Sequence, residues 1–310
     1  MLERVQAANG VVFYRSPKLS AAGVAHAFST RIGGVSTGPF ASLNLGNPSE
    51  GSTRDPWDNI VQNHQRLYDA IDIHPRARLS CHQIHGCRVV RFVGGDWPEP
   101  QPQGDAIVST DPTVVASVRV ADCVPVLLAT PDGRVVAAVH AGWRGVVAGV
   151  VTETIRAMRE VARERSCDDT WNPEHDGSRE VTRGGLRALA RDGSSDARDA
   201  SEHPSTTRLI AAIGAGISAE RFEVGPDVAR EFAERFPDVD CVRAGAGDRS
   251  FVDLQRVIVQ QLTRAGVPED AIDTTDRCTV RDADEFFSHR RDRGISGRMS
   301  ALIVARGSAR

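Results

Sequence analysis

One cysteine and two histidines carry the chemistry that stands out in this chain: His85, Cys123 and His140. His140 closes the apolar part of VVAAVHAGWRG (135–145), where a glycine-rich turn follows. Cys123 sits beside Asp122 in a second apolar run, VRVADCVPVLL (118–128), and His85 lies in HQIHG (82–86). An apolar stretch bounded by turn residues reads as a strand covered on both faces. A polar group inside such a run is costly unless it has a partner. Two strands that each carry a soft donor therefore point to one shared site. Three donors of the N, N, S type leave a fourth position for water or substrate, which is the pattern of catalytic rather than structural zinc. Zinc would lower the pKa of a bound water toward ~7. The alternative is that each residue is simply packed in a core. Asp122 is the candidate proton shuttle, or else an acceptor that orients His85 or His140.

The elements that must position these groups are legible in part. Residues 11–15 and 24–30 read as strands. The glycine-rich stretch 30–52 has neither helical nor strand period and reads as a long loop, the kind that is functional or disordered inside a compact domain. Its Arg31 and Asn44 are candidates to line a pocket. A helix over 58–71 follows, and 78–93 reads as one strand with Cys81, Gln83, His85 and Cys87 on one face and His82 on the other. Strands over 104–110, 114–130 and 134–140 come next, the last two joined by a hairpin at Pro131–Gly133. A helix over about 146–165 starts directly behind AGWRG. Its N–H groups and positive dipole end would favour an anion there, with Arg144 beside it. The stretch 166–207 is rich in Asp, Ser, Gly and Arg, has little to bury and reads as a disordered insertion, with His175 and His203 solvated. Order resumes with a strand at 208–217, helices over 226–236 and 253–266, a short strand over 271–275 and a last strand over 299–305. The helix from 226 carries Pro226 in its first turn. Strands outnumber helices before residue 145 and alternate with them afterwards. That favours one mixed-sheet α/β or α+β domain spanning 1–310.

Composition removes several function classes. The chain has 310 residues, a net charge of −3, 40% hydrophobic and 25% charged residues, which is ordinary for a globular protein. Nothing in that balance favours nucleic acid or an anionic membrane. No apolar run reaches the ~20 residues that span a bilayer. The N-terminus MLERVQAANG has no apolar signal core, and the six cysteines read as reduced thiols of a cytoplasmic protein. Lys18 is the only lysine, so the abundance of arginine reads as compositional bias.

The segments HQIHG (82–86), ADCVPVLL (121–128), VHAGWRG (139–145) and CT…FFSHRRD…SGRM (278–299) resemble the signature motifs of the YfiH family, also called the multicopper polyphenol oxidase or laccase-domain family. FSTRIGGVSTGPFASLNLG (28–46) is similar to its usual opening. The resemblance covers nearly the whole chain outside 166–207. It implies a single compact α/β sandwich of the YfiH type, with His85, Cys123 and His140 as metal ligands. It also implies phosphorolysis of adenosine, inosine and S-methyl-5′-thioadenosine, together with adenosine deamination. The cofactor implied is zinc, with copper as the alternative, and the partners are purine nucleosides and phosphate. Phosphate would be held by arginines such as Arg144, Arg290 and Arg291, through bidentate contacts. The chain departs from the family pattern at Ala215, where proline is usual, and at Phe222 and His289, where tyrosine is usual.

Three rival readings remain. A copper polyphenol oxidase would need more metal ligands than these motifs supply. A cysteine hydrolase or amidase editing peptidoglycan precursors would use Cys123 as nucleophile, His140 as base and Asp122 nearby. A pure binding module would show no turnover. Oligomeric state is not legible.

Overall fold

The computed structural model describes residues 1–48, 53–170 and 208–307. The chain begins with β1 (Glu3–Gln6), β2 (Val12–Arg15), helix α1 (Pro17–Ala21) and β3 (Ala25–Ser29). Helix α2 (Trp57–Ala70) follows a long irregular segment, and then come β4 (Ala77–Leu79), β5 (Val89–Phe92) and β6 (Ala106–Ser109). The central strands are β7 (Val114–Val120), β8 (Val124–Ala129) and β9 (Val136–Ala141), followed by helices α3 (Trp143–Val147) and α4 (Val150–Thr170). After residue 207 come β10 (Ile210–Ile213), β11 (Glu223–Val224), α5 (Pro226–Arg235), β12 (Val242–Ala244) and β13 (Ser250–Val252). Helix α6 (Leu254–Arg264), β14 (Ile272–Asp273) and β15 (Met299–Val304) end the chain.

Among the described residues two six-stranded mixed sheets form, in the orders β1-β2-β3-β15-β7-β4 and β14-β10-β8-β9-β6-β5, beside a small sheet β11-β13-β12. The large sheets face each other across a core that includes Phe28, Val118, Leu127, Ala138, Ala212 and Ile303. Strand β8 shows why its residues read as one apolar run. Leu127 and Ala129 point into that core, whereas Val126 and Leu128 join Val151, Ile155, Met158, Phe232 and Ile258 under α4, α5 and α6. On the outer face of the other sheet, Phe13, Val115 and Leu302 pack with Leu67 of α2 and with Leu43 and Leu45 of the long segment. The layers run helix, sheet, sheet, helix, so the mixed-sheet α/β sandwich expected from the sequence is what forms.

Three local expectations are corrected. The run 78–93 is not one strand: β4 belongs to the first sheet and β5 to the second, and residues 80–88 carry the chain between them. The run 114–130 likewise divides into β7 and β8, in different sheets, through a three-residue corner at 121–123. At 121–123 burial on two faces hides the change of sheet, because the residues either side are equally apolar; at 80–88 the polar stretch keeps an alternation that a strand would also show. The helix expected over 146–165 starts earlier, at Trp143, breaks after Val147 and restarts at Val150. It runs on through Thr170, so 166–170 are helical rather than part of the polar insertion; 171–207 lie outside the described residues. The short strands β1, β11, β12 and β13 carry too little apolar pattern to be read from the sequence. No helix among the described residues is long and apolar enough to cross a membrane.

Helix α2 buries Ile60, Asn63, His64 and Leu67, the i, i+3, i+4, i+7 stripe of a helix packed on one side. Its two polar members clamp the long segment. Asn63 donates to Ser36 Oγ, Ser42 O and Asn44 O and accepts from Val35 N. His64 donates from Nε2 to Leu45 O at 3.1 Å. Burial, aided by the charge of Arg78, pushes the His64 pKa down to about 3. The unfolded chain would take up that proton near the ordinary value of ~6.5. Stability supplied by this neutral ring is therefore complete above pH ~6.5 and is lost as pH falls toward 3. Between pH 7 and 5 the loss from His64 should be about 2 kcal/mol, since one pKa unit is ~1.4 kcal/mol. Denaturant melts of wild type and His64→Gln across that range should show a shallower pH slope in the variant. Parallel slopes would contradict the assignment.

Candidate metal centre

The two crossings between sheets are where the chemistry sits. Cys123 lies in the 121–123 corner, His85 in the 80–88 crossing, and His140 one residue before the end of β9. Val124 pairs with Ala141 and Pro125 with His140, so Cys123 stands level with Gly142. One donor atom from each of His85, Cys123 and His140 lies within 4.8 Å of the other two. Among the described residues they form the one such group of three or more donors. The rings of His85 and His140 meet edge-on, with centroids 4.9 Å apart. A Cβ on residue 142 would lie 3.0 Å from both Cys123 Sγ and His85 Cδ2 and 3.7 Å from His140 Cε1. Only glycine leaves the space between the three donors clear.

Asp105, just ahead of β6, organises this cluster, and the sequence reading missed it. It is fully buried. Its carboxylate accepts from the backbone N–H groups of Ile84, His85 and Gly86 at 3.3, 2.9 and 2.8 Å. It also pairs with His140 Nδ1 at 2.8 Å. Those bonds hold His85 at φ 59°, a conformation that non-glycine residues seldom adopt. They also spend Nδ1 of His140, leaving Nε2 as its free donor toward the cluster. Burial opposes the charge on Asp105, but His140 and the Gly86 and His85 amides outweigh it and hold the carboxyl below its ordinary range. Burial likewise opposes ionisation of Cys123, yet His140 and His85 bring its thiol below the usual value. His140 is raised in turn, because Cys123 and Asp105 outweigh its burial. A thiolate and two imidazoles, one backed by a carboxylate, are a fitting donor set for zinc or copper. The signal that could have found Asp105 is its place in GDAIVST (104–110), an acid at the start of an apolar strand.

The donors open onto a cavity of about 700 Å³. Trp143, Ile217, Phe222 and Leu254 give it an apolar wall; Asp122, His289, Arg290, Arg119 and Arg298 give it polar ones. Three of the four non-glycine residues with positive φ among the described residues line it: His85, Asp122 (φ 92°) and Arg293 (φ 50°). Such strain tends to gather at working sites. Asp122 accepts from Thr279 Oγ1 and from Arg290 N, each at 2.6 Å. It orients neither histidine. That task falls to Asp105.

The remaining candidates are distributed unevenly. Arg290 lines the cavity, with its guanidinium 5.6 Å from the Phe222 ring centroid and donating to Glu223 O. Arg144 does not line it; it is exposed and lies over the Trp143 ring at 4.4 Å, and the helix it opens has only five residues. Arg291 turns inward, donating to Thr279 O, Phe286 O and Asp292. Arg31 donates to Ala41 O and Ala283 O and covers the Phe287 ring. Asn44 is fully buried, donating to Asp55 and accepting from Gly46 N and Arg298 N. Of the described residues of the long loop, Asn47 and Pro48 reach the cavity. Both family departures at aromatic positions, Phe222 and His289, face the cavity.

A family model described as multi-copper polyphenol oxidoreductase laccase matches residues 25–169 and 184–306. The chain is 33% identical over 285 residues to a protein of Escherichia coli named purine nucleoside phosphorylase YfiH, with 91% of this chain and 93% of that one covered. A purine nucleoside phosphorylase of Deinococcus radiodurans is 33% identical over 304 residues, with 96% and 94% covered. Among solved structures, YlmD from Geobacillus stearothermophilus superposes with a TM-score of 0.74 at 26% identity, covering 98% of this chain and 99% of that one.

Proposed function

The chain belongs to the YfiH family, the one the laccase model describes, and on that premise we propose that it is a metal-dependent purine nucleoside phosphorylase. Its substrates would be inosine, adenosine and S-methyl-5′-thioadenosine, with adenosine deamination at the same site. The observation that carries this reading is the convergence of His85, Cys123 and His140 in a cavity lined by both aromatic and cationic side chains. A purine is flat and apolar on its faces, and Trp143 and Phe222 offer it aromatic surface. Phosphate and the ribose hydroxyls need charged and hydrogen-bonding groups, which Arg119, Arg290, Arg298 and Asp122 of the lining supply. Asp122 faces the cavity with its carboxylate fixed by Thr279 and the Arg290 amide. That makes it the group to exchange a proton with the leaving base. A zinc ion held by the three donors would supply Lewis acidity, on which both base release and removal of the C6 amino group draw.

A second reading has one observation in its favour. Cys123, His140 and Asp105 stand in the order of a nucleophile, its base and the acid that orients the base. A cysteine hydrolase would use them so, with His85 left only to help lower the thiol's pKa. Polyphenol oxidation draws no support from the donor count, since several coppers need more than three ligands.

The test is to purify the protein, measure its metal, and assay inosine and adenosine with and without inorganic phosphate. We expect about one zinc per chain, phosphate-dependent release of hypoxanthine, and deamination of adenosine without phosphate. Base release that ignores phosphate would overturn the phosphorylase reading. A metal-free protein whose Cys123 is readily alkylated would favour the hydrolase.

A further inference from the structure

Among the described residues Arg119 is a cation without a partner. It lies on β7, and its backbone is pinned on both sides by Gln83, which donates to Arg119 O at 2.8 Å and accepts from Arg119 N at 2.9 Å. Its guanidinium donates no hydrogen bond and meets no carboxylate among the described residues. Two more arginines share its face of the sheet. Ser300 of β15 stands opposite Arg119, and Arg298, two residues earlier and just ahead of the strand, continues toward the diagonal position. Side chains so placed are about 7–8 Å apart at their bases. On the other side β4 sets Arg78 against Val115, four residues before Arg119 and on the same face. Burial, then the charges of Arg78 and Arg298, pull the Arg119 pKa down to about 10.

The surroundings are built to hold this arginine. A Cβ on residue 46 would stand 2.7 Å from Arg119 Cδ and 3.3 Å from Nη1, so the loop needs glycine there for the side chain to pass. Asn44 Oδ1 accepts both Gly46 N and Arg298 N, tying the supports of the two arginines together. Arg298 spends Nη1 on Ser296 O and Gly297 O, which leaves the rest of its fork. Arg119 and Arg298 both line the cavity that holds the three metal donors.

Asp122 offsets part of the charge of Arg298, but burial and the neighbouring arginines weigh on Arg119 without such relief, and a cluster of this kind is costly unless an anion completes it. We propose that Arg119 and Arg298 are the orthophosphate site of the reaction proposed above, with Arg78 behind them adding charge. This rests on the phosphorylase reading and replaces the phosphate role that the sequence suggested for Arg144 and Arg291. Two planar forks suit the tetrahedral dianion. In the step they serve, a phosphate oxygen bonds to C1′ of the ribose as the bond from C1′ to the purine nitrogen breaks. The bonding pair leaves with the base, which takes up a proton, and ribose 1-phosphate remains on the arginines. Asn44 and Gly46 act as positioning residues.

Titration of inorganic phosphate into the metal-loaded protein tests this by calorimetry, with AMP as a separate arm. Wild type should bind one phosphate per chain. Arg119→Met and Arg298→Met should each weaken that binding at least tenfold, and Arg119→Lys less. In turnover, the phosphate KM should rise at least tenfold while the inosine KM moves less than twofold. Added phosphate should raise the melting temperature of wild type and not of the Met variants. If one Met variant does not fold, the other carries the same expectation. Unchanged phosphate affinity in a folded Met variant, or no phosphate binding by wild type, would overturn the proposal. So would AMP that depends on both arginines while phosphate does not bind. A wild type that binds phosphate through Arg119 and Arg298 but leaves inosine intact keeps the site and removes the phosphorylase reading.

Discussion

Replacing Cys123 with alanine should abolish metal binding and nucleoside cleavage together while the sandwich stays folded. The residue sits in the 121–123 corner, half-buried, and supplies the single sulfur of the donor set. Alanine removes only the Sγ and fits the same backbone. Two imidazoles alone leave a zinc site with half of its tetrahedral positions filled by protein, and thiolate is the strongest donor of the three. Loss of metal at micromolar protein should be complete, and inosine cleavage should fall at least 10³-fold, the scale on which removing a principal catalytic group is felt. Elemental analysis, far-UV circular dichroism and the phosphate-dependent assay read the three consequences separately. Zinc retained at wild-type level would remove Cys123 from the metal site. Zinc retained with activity lost would instead mark Cys123 as a nucleophile.

Asp105→Ala should harm both the centre and the fold. The carboxylate holds three backbone N–H groups and His140 Nδ1 in a place with no exposure to water. The three backbone donors are part-buried and can turn to water, so the main loss is the buried bond to His140, and stability should fall by roughly 3–5 kcal/mol, the scale of breaking a buried charged pair. Metal affinity should fall about 10- to 100-fold, the usual result of removing a carboxylate behind a ligating histidine. Part of that loss arises at His85, whose φ of 59° is held in place by the same carboxylate. Denaturant titration and competition with a metal chelator measure the two effects. A variant with wild-type metal affinity would show that His85 and His140 are oriented by something else.

Comparison of these residues with the sequence shows what a linear reading can carry. The three donors were legible because soft, polar groups stood out inside apolar runs. The two-faced burial of β8 and β9 was legible for the same reason. The crossings were not: at 121–123 an apolar residue facing one sheet looks the same as an apolar residue facing the other. Treating 78–93 as a regular strand assigned His82 and His85 to opposite faces by alternation, whereas in the fold His85 is placed by three hydrogen bonds to a distant acid. Asp105 escaped notice because its partners lie 20 residues before it and 35 after. Arginines were the hardest to sort. Arg291 and Arg31 are spent on carbonyl oxygens and Arg144 on a tryptophan face, while Arg119 lies on β7 and Arg298 just ahead of the neighbouring β15, which meet only in the finished sheet. Asn44 was singled out in the loop, and its place is beneath the wall rather than on it.

The corner at Asp122 and Cys123 has a consequence for how the molecule assembles. Neither large sheet owns the donor set: His85 and Cys123 lie in links that leave one sheet for the other, and His140 ends a strand of the second. The chain crosses between the sheets at two of the three donors, so an ion held there would tie both crossings to the edge of the second sheet. Once bound, the ion favours the docked state by mass action, in proportion to its concentration over its dissociation constant. A metal held there would act as a clasp on the two crossings, and its loss should loosen both at once.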